Sequence, residues 1–396
     1  MAFFAPLRPS YRADPYPALA ALRREDPVHW SAELQAWVVT RYVDCGTVLR
    51  DGTRFTSDPA LAGGAQAESL LAHRAAVPLG MVPNLGTTSG RPHRSLRNVV
   101  NPVFTRQAVA HLEAVITGSV RRLLDAVPEG RPFEFMAGFA QPLPRLAILA
   151  AVGCPAEQEE RLQQALLTIE LTRTTPGPTA ASLVAARSAE SDAGHIVDLY
   201  RSGLLPSNTV LGALMPAGGE PRSAAEVTSV VAQIATVGAE PTIAALGNAV
   251  LALATHPGAA ARLRAEPAGV SNAVHELLRF DSPTHIIPRF AARDGELAGK
   301  RVRRGDTVLA VVGAANRDPA EFPDPDTLDW KRDARRQLAF GQGEHFCLGG
   351  ALALLILQVA LSGLIRQFGH IELAAPPRYG GGVLLRRPDS LYLTCS

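Results

Sequence analysis

Apolar residues recur at helical spacing along most of the chain, and short alternating runs of apolar and polar residues occur near both ends. The longest helical pattern is Ala224–Thr255, and others are 14–24, 43–49, 107–127, 134–152 and 351–364. Residues 28–30 and 36–40 predict a β-hairpin, 294–311 predict further strands, and 380–394 predict a closing hairpin. The pattern therefore predicts a mainly α protein with a smaller β-sheet region.

Two segments interrupt this periodicity. Residues 57–90 are rich in Pro, Gly, Ala and small polar residues, and they predict a long loop of the kind that is usually functional. Residues 156–217 predict two helices joined by the Thr-Pro-Gly-Pro stretch at 175–178. The length of 396 residues allows either one large domain or two.

Composition and charge exclude several classes of protein. A net charge of +2 gives no electrostatic reason to expect nucleic acid or a membrane surface as the main partner. The apolar start of the chain is too short for a signal peptide, and no apolar run of about 18 residues predicts a membrane span. Four scattered cysteines fit a reduced compartment better than a disulfide framework. We therefore expect a cytoplasmic protein of the size of an enzyme, with neither nucleic acid nor a membrane as its main partner.

The most informative cysteine is Cys347, which lies in a glycine-rich loop just before a long apolar helix. Gly341 and Gly343 allow the loop to turn tightly and to approach a flat ligand closely. Unpaired amides at a helix start favour an anion, so the position predicts a thiolate with a lowered pKa. A buried structural cysteine, a zinc ligand and a haem ligand all remain open, although only His345 lies at zinc-ligand spacing.

The loop resembles the haem-binding loop of the cytochrome P450 family. The matching positions are Phe340, Gly341, Gly343, His345, Cys347 and Gly349. The resemblance extends in order from Asp14 to Ser390 and implies the P450 fold as a single large domain. It also implies haem b (iron protoporphyrin IX) as cofactor, with Cys347 as the axial iron ligand.

The resemblance assigns roles to several segments. Residues 14–60 would form an N-terminal helix and hairpin, 61–90 a substrate-covering loop, 160–220 a variable lid, 224–255 the distal helix, and 340–366 the ligand loop and its helix. His93 and Arg97 are four residues apart, and with Arg289 and His345 they would hold the haem propionates. Phe340, Gly341 and Gly349 would shape the haem-binding loop.

The distal helix departs from the family pattern at one position. Gly238 and Glu240 match, but Pro241 stands where the family has the threonine that takes part in proton delivery during dioxygen activation. Thr242 follows one residue later, about 100° further around an undistorted helix, so its hydroxyl should point elsewhere. A proline inside a helix predicts a kink and releases the carbonyl of Val237 to hold a water. Glu240 and Thr242 remain the candidates for proton transfer near the cofactor.

Further residues receive weaker assignments. Substrate contacts are predicted at Met81, Val82, Leu85, Ile234, Val237, His285, Ile286 and Ile287, although core or surface roles are equally open for them. Glu276 and Arg279 share a helix face and, with Arg332, resemble the buried ion-pair network of the family. Arg106, Lys331, Arg335 and Arg336 form either a docking patch or a solvated face.

We expect an oxidative tailoring enzyme, a monooxygenase or hydroxylase acting on a small, largely apolar molecule of secondary metabolism. No flavin domain is evident, so electrons would come from a ferredoxin and a ferredoxin reductase, and the enzyme would be a monomer. Pro241 favours an alternative in which peroxide, or a substrate carrying its own activated O or N, bypasses dioxygen activation, as in a peroxygenase or a cyclisation. A non-catalytic haem-binding or ligand-binding protein is the third hypothesis.

Overall fold

The computed structural model describes residues 4–154, 159–174, 177–201, 206, 208–216, 222–380 and 382–396. The predicted junction at 175–176 lies outside these residues, as do 156–158 of the predicted helices and 202–205, 207 and 217–220 of the predicted lid. The α-helices are Pro9–Ala13 (α1), Tyr16–Glu25 (α2), Tyr42–Arg50 (α3), Pro59–Ala62 (α4), Ala65–Ala76 (α5), Gly90–Val100 (α6), Arg106–Val109 (α7), Glu113–Asp125 (α8), Pro142–Val152 (α9), Glu159–Thr174 (α10), Ala180–Arg201 (α11), Val210–Leu214 (α12), Ala224–Thr255 (α13), Ala259–Ala265 (α14), Val270–Phe280 (α15), Val312–Ala315 (α16) and Gly350–Gln367 (α17).

The β-strands are short and form three sheets. They are Val28–Ser31 (β1), Ala36–Val39 (β2), Phe55–Thr56 (β3), Pro132–Glu134 (β4), Ile287–Ala291 (β5), Gly295–Leu297 (β6), Lys300–Val302 (β7), Thr307–Ala310 (β8), Ile371–Leu373 (β9) and Tyr392–Cys395 (β10). The largest sheet has the order β1-β2-β8-β5-β3, with β2 and β8 parallel. The second has the order β4-β10-β9, and β6 pairs with β7. Antiparallel pairing of β1 with β2 confirms the predicted N-terminal hairpin.

Two sequence predictions of local structure are wrong in part. Residues 57–90 are not a continuous loop, because they contain α4 and the 12-residue helix α5. Ala, Leu, Gln and Glu in α5 have high helix propensity, although the helix has no strong apolar stripe. The predicted closing hairpin at 380–394 is replaced by strand β10, which pairs with the preceding strand β9 and with the distant strand β4. Such long-range pairing leaves no local signal in the sequence.

The two longest apolar helices, α13 and α17, form the centre of the molecule. Both are long and apolar enough to cross a membrane by length and composition, which the sequence pattern had not predicted. In the most apolar 18-residue segment of each helix, 67% of the segment in α13 and 50% of the segment in α17 is buried inside the protein. Helix α13 packs against α9 and α10, and α17 packs against α8 and α15. Their apolarity is therefore accounted for by core packing.

Candidate active site

One cavity connects the cysteine loop to the central helix α13. Its volume is about 340 Å³, and most of its surface is apolar. The loop contributes Cys347 to the lining, α13 contributes Gly238 and Thr242, and strand β5 contributes Ile287 and Arg289. Residues that lie more than a hundred positions apart in the sequence are thereby brought to one site.

The cysteine loop is held in a turn that requires glycine. Gly341 and Gly343 have φ values of 67° and 73°, in the left-handed region that favours glycine. A Cβ at Gly343 would also lie 2.6 Å from the carbonyl oxygen of Leu49. The amide of Cys347 donates to the carbonyl of Phe340 at 2.8 Å, and α17 begins at Gly350. The loop therefore holds the sulfur at the edge of the cavity.

The pKa of the Cys347 thiol differs from the sequence prediction. Burial raises this pKa, while the Gly349 amide, which donates to the sulfur, and the nearby Arg97 guanidinium oppose the rise. The predicted lowering by helix amides is therefore wrong for the protein alone, because desolvation outweighs it. A thiolate at this position would need an additional positive charge, which a bound metal ion supplies.

Four basic side chains line the same cavity: His93, Arg97, Arg289 and His345. The rings of His93 and His345 lie 4.3 Å apart between centroids. Arg97 donates to the backbone carbonyl oxygens of Glu344 at 3.1 Å and Phe346 at 2.7 Å, so it also supports the loop. The cavity thus has a distinct basic edge.

Of these four side chains, Arg289 gives the clearest indication that the cavity binds a carboxylate. The residue is 7% exposed, and among the described residues its guanidinium donates only to the adjacent Pro288 carbonyl, at 2.9 Å. Burial lowers its pKa to about 10. No acidic side chain among the described residues pairs with it. A buried cation in this state fits a ligand that brings its own carboxylate.

The donor set fits haem b rather than zinc. Among the described residues, the cluster of His, Cys and acidic side chains with metal-ligand spacing is His93, Glu344 and His345, and it does not include Cys347. A lone thiol, a mainly apolar cavity and an unpaired buried arginine match a flat apolar ligand with one metal ion and carboxylate groups. Phe340, Gly341 and Gly349 also line the cavity, as expected for a loop that covers such a ligand.

Helix α13 presents one continuous face to the cavity, made of Ile234, Val237, Gly238, Pro241, Thr242 and Ala245. The helix runs unbroken through Pro241, and the missing N–H leaves the Val237 carbonyl without its amide partner. Thr242, one of the two candidates for proton transfer, lines the cavity, because positions 238 and 242 are four residues apart on one face. Its hydroxyl donates to the Gly238 carbonyl at 3.1 Å.

The structure places Glu240 away from the cavity lining. Its carboxylate accepts from Arg387 at 2.7 Å and from Arg145 at 3.4 Å. Helix geometry explains this direction, because Glu240 lies two residues from Gly238, about 200° around the helix axis. The predicted proximity of Glu240 to the reacting centre is therefore not observed in this conformation.

Four of the predicted substrate contacts line the cavity, namely Leu85, Ile234, Val237 and Ile287. The other four do not: Met81 is 57% exposed, Val82 packs against the core, and His285 and Ile286 are buried away from the cavity. Gln233 and Gly86 line it without having been predicted. The spacing of Gln233, Val237 and Pro241, each four residues apart, would have indicated the first of them.

The predicted ion-pair network is buried behind the cysteine loop. Arg279 donates to Glu276 at 2.7 and 2.8 Å, and both side chains are 0% exposed. Arg332 donates to the same carboxylate at 3.3 Å. Arg279 also donates to the backbone of Asn316, whose side-chain oxygen accepts from the amide of Leu338 at 2.7 Å. The network thereby reaches the residues that lead into the cysteine loop.

Comparison with known proteins gives a consistent family. The family model described as Cytochrome P450 matches residues 208–394 of this chain. Nocardicin C N-oxygenase of Nocardia uniformis subsp. tsuyamanensis is 35% identical over 96% of this chain and 96% of that protein. Epothilone C/D epoxidase of Sorangium cellulosum is 32% identical over 98% of this chain and 94% of that protein. The crystal structure of epothilone D-bound cytochrome P450epoK has a TM-score of 0.89 and 30% identity, covering 99% of this chain and 98% of that one. The chain belongs to the cytochrome P450 family, whose members bind haem b.

Proposed function

We propose that this P450 is a monooxygenase that hydroxylates, or otherwise inserts oxygen into, a small and largely apolar molecule of secondary metabolism. The observation that carries the proposal is the single cavity of about 340 Å³, which joins Cys347 to an apolar face of α13. An apolar lining of this kind favours an apolar ligand, because binding removes apolar surface from water. The oxygenase and epoxidase names of the two relatives support this class of reaction.

The main groups of residues that line the cavity then have proposed roles. When bound, haem b supplies a thiolate-ligated iron that can insert one oxygen atom into an unactivated bond of the substrate. Cys347 would hold the iron through its sulfur, to which the Gly349 amide donates. His93, Arg97, Arg289 and His345 are the proposed partners of the two propionates.

The face of α13 is proposed to position the substrate and to hold a proton donor. Ile234 and Val237 give the cavity an apolar wall next to Gly238, against which an apolar substrate would pack. The Val237 carbonyl, which Pro241 leaves without an amide partner, can accept from a water held at the cavity wall. Thr242 can donate to the same region if its hydroxyl leaves the Gly238 carbonyl.

We propose that a ferredoxin and its reductase supply electrons to a monomeric, cytoplasmic enzyme. Two of the four basic residues of the predicted docking patch are neutralised by neighbouring acidic side chains. Arg335 pairs with Asp333 at 2.7 Å, and Arg336 pairs with Glu321 at 3.0 Å. Arg106 and Lys331 are exposed and make no ion pair with the described residues, so they are the better candidates for contact with an acidic partner.

The test is a ligand screen of the haem-loaded enzyme by shift of the Soret band, followed by turnover of each binding compound with NAD(P)H, ferredoxin and reductase. We expect at least one apolar compound to shift the band and to gain the mass of one oxygen atom. If compounds shift the band and none of them is converted by either route, a non-catalytic ligand-binding protein becomes the better explanation. If no apolar compound shifts the band, the proposed class of substrate is wrong.

A second candidate function bypasses dioxygen activation. Two observations favour it: Pro241 replaces the family threonine, and the Glu240 carboxylate is bound by Arg145 and Arg387 outside the cavity. A peroxide-driven reaction, or a substrate that carries its own activated O or N, needs less proton delivery from the protein. Product formation with peroxide alone, at a rate above that with ferredoxin and reductase, would favour this candidate. The opposite ratio would exclude it as the main activity.

A further inference from the structure

Gln233 is the polar side chain at the start of the cavity-facing stripe of α13. Its Oε1 accepts from the backbone amide of Leu85 at 2.9 Å, which ties the helix to the segment that follows α5. The Gln233 carboxamide has one oxygen that can accept and one NH2 group that can only donate. The bond from the Leu85 amide therefore fixes which of the two faces Leu85. The Nε2 group must therefore point away from Leu85. Gln233, Leu85 and Gly86 all line the cavity.

The Nε2 group of Gln233 has no acceptor among the described residues. It lies against Gly86, where an added Cβ would come within 2.5 Å of it. Other donors nearby are already used. The Gly86 amide donates to Asn84 Oδ1 at 3.0 Å, and the Thr242 hydroxyl donates to the Gly238 carbonyl at 3.1 Å. Gln233 Nε2 is thus the uncommitted donor where α13 meets the 84–88 turn.

The turn that receives Gln233 is itself well ordered by hydrogen bonds. Asn84 is 1% exposed, and its side-chain oxygen also accepts from the Thr87 hydroxyl at 3.1 Å. The Thr88 hydroxyl donates to the Asn84 carbonyl at 2.7 Å. These bonds hold the Leu85 amide towards α13, so the Gln233 carboxamide has little freedom to turn. Its N–H donors are therefore preorganised.

We infer that Gln233 determines substrate specificity by donating a hydrogen bond to a carbonyl oxygen of the substrate, such as that of a lactone, ester or ketone. This inference rests on the proposed function and narrows its substrate class. Five residues separate Gln233 from Gly238, which corresponds to about 7.5 Å along the helix axis. The substrate is then a mainly apolar molecule whose carbonyl lies roughly that far from the carbon next to Gly238. A ligand without this carbonyl would leave the Gln233 N–H buried without an acceptor, which lowers its binding affinity.

The test uses the haem-loaded enzyme and pairs of medium-ring and large-ring lactones with the cyclic ethers that lack only the carbonyl. Dissociation constants are measured from the shift of the Soret band. We expect lactones to bind the wild-type enzyme about five- to tenfold more tightly than the matched ethers. In Gln233→Leu this advantage should disappear. Gln358→Leu is the matched control, because Gln358 also makes one hydrogen bond, to Ser271 at 3.0 Å, and lies outside the cavity lining.

Two further variants separate recognition from a structural role. Gln233→Glu at alkaline pH keeps an acceptor for the Leu85 amide but has no N–H donor, so the lactone advantage should be lost although the tie to the 84–88 turn is kept. Gly86→Ala keeps the glutamine but displaces its carboxamide, and the advantage should fall in the same direction. A Gln233→Glu enzyme that keeps the advantage would show that the residue acts only as a tie between α13 and the turn.

Other outcomes are equally decisive. If ethers and lactones bind the wild-type enzyme equally well, the inference is wrong while the proposed function stands. If lactones are preferred but Gln233→Leu keeps that preference, another donor is responsible and the inference also fails. If neither class of compound shifts the Soret band, the proposed preference for apolar ligands fails together with the inference.

Discussion

Arg289 allows the assignment of the propionate partners to be tested quantitatively. The residue is 7% exposed, and its one hydrogen bond to the described residues is to the Pro288 carbonyl. Burial lowers the pKa of Arg289 from its ordinary value to about 10, which corresponds to about 3 kcal/mol of unfavourable free energy for the charged form in the protein without haem. A carboxylate beside the guanidinium would remove most of this cost. Replacement of Arg289 should therefore act in opposite directions on the haem-free and haem-loaded proteins.

In Arg289→Met the haem-free protein should be no less stable than the wild type, because an unpaired buried charge has been removed. The haem-loaded enzyme should lose a charge-assisted hydrogen bond of about 1.5–3 kcal/mol. Haem transfer to excess apomyoglobin, followed by absorbance, should then be about 10- to 100-fold faster than in the wild type. Urea unfolding of the haem-free protein measures the other half of the prediction.

Arg293→Met provides the matched control in the segment that follows β5. Arg293 is exposed and donates to the Thr53 hydroxyl at 3.2 Å, so its loss should leave haem transfer unchanged. The reasoning is refuted if Arg289→Met retains haem as long as the wild type does. It is also refuted if the variant makes the haem-free protein markedly less stable, because the arginine would then have a structural partner.

The remaining predictions concern the distal helix, the buried ion pair and pH. Pro241→Thr should raise the fraction of NAD(P)H electrons recovered in product, and unchanged or poorer coupling would count against a missing hydroxyl. Glu276→Gln should lower the free energy of unfolding by about 3 kcal/mol or more, because Arg279 would remain buried and unpaired; a loss below about 1 kcal/mol in urea unfolding would contradict this. Burial lowers the pKa of His285 to about 4. The unfolded chain therefore takes up this proton first, and the wild type should lose about 3 kcal/mol of stability as pH falls from about 6.5 to 4. In His285→Leu the free energy of unfolding should not fall by this amount over the same pH range. If it falls equally steeply with pH in the variant and the wild type, His285 is not the cause.

The parts of the site that could be predicted from the sequence are those with a local physical cause. Gly341 and Gly343 are required by the left-handed backbone conformation of the cysteine loop. All residues of this loop are contiguous in the sequence around Cys347. The length and apolarity of α13 likewise follow from its own residues. The Glu276–Arg279 pair could be expected from spacing within one helix. These features need no knowledge of the rest of the chain.

The features that were missed depend on tertiary packing. The pKa of Cys347 is raised by burial from many elements, whereas the sequence shows only the helix start that opposes the rise. Glu240 is bound by Arg145 and Arg387, and neither is near it in the sequence. The position of Thr242 relative to Pro241 predicted a hydroxyl that points elsewhere, whereas Thr242 lines the cavity on the same helix face as Gly238.

The Cys347 thiolate is the proposed iron ligand, and every other proposed role in the cavity depends on it. The most direct measurement is the absorption spectrum of the reduced, haem-loaded enzyme under carbon monoxide, compared with that of Cys347→Ala. We predict the strongly red-shifted Soret band of a thiolate-ligated haem in the wild type and its absence in the variant, with circular dichroism confirming that the variant is folded. Absence of the band in the haem-loaded wild type, or its survival in the variant, would contradict the account.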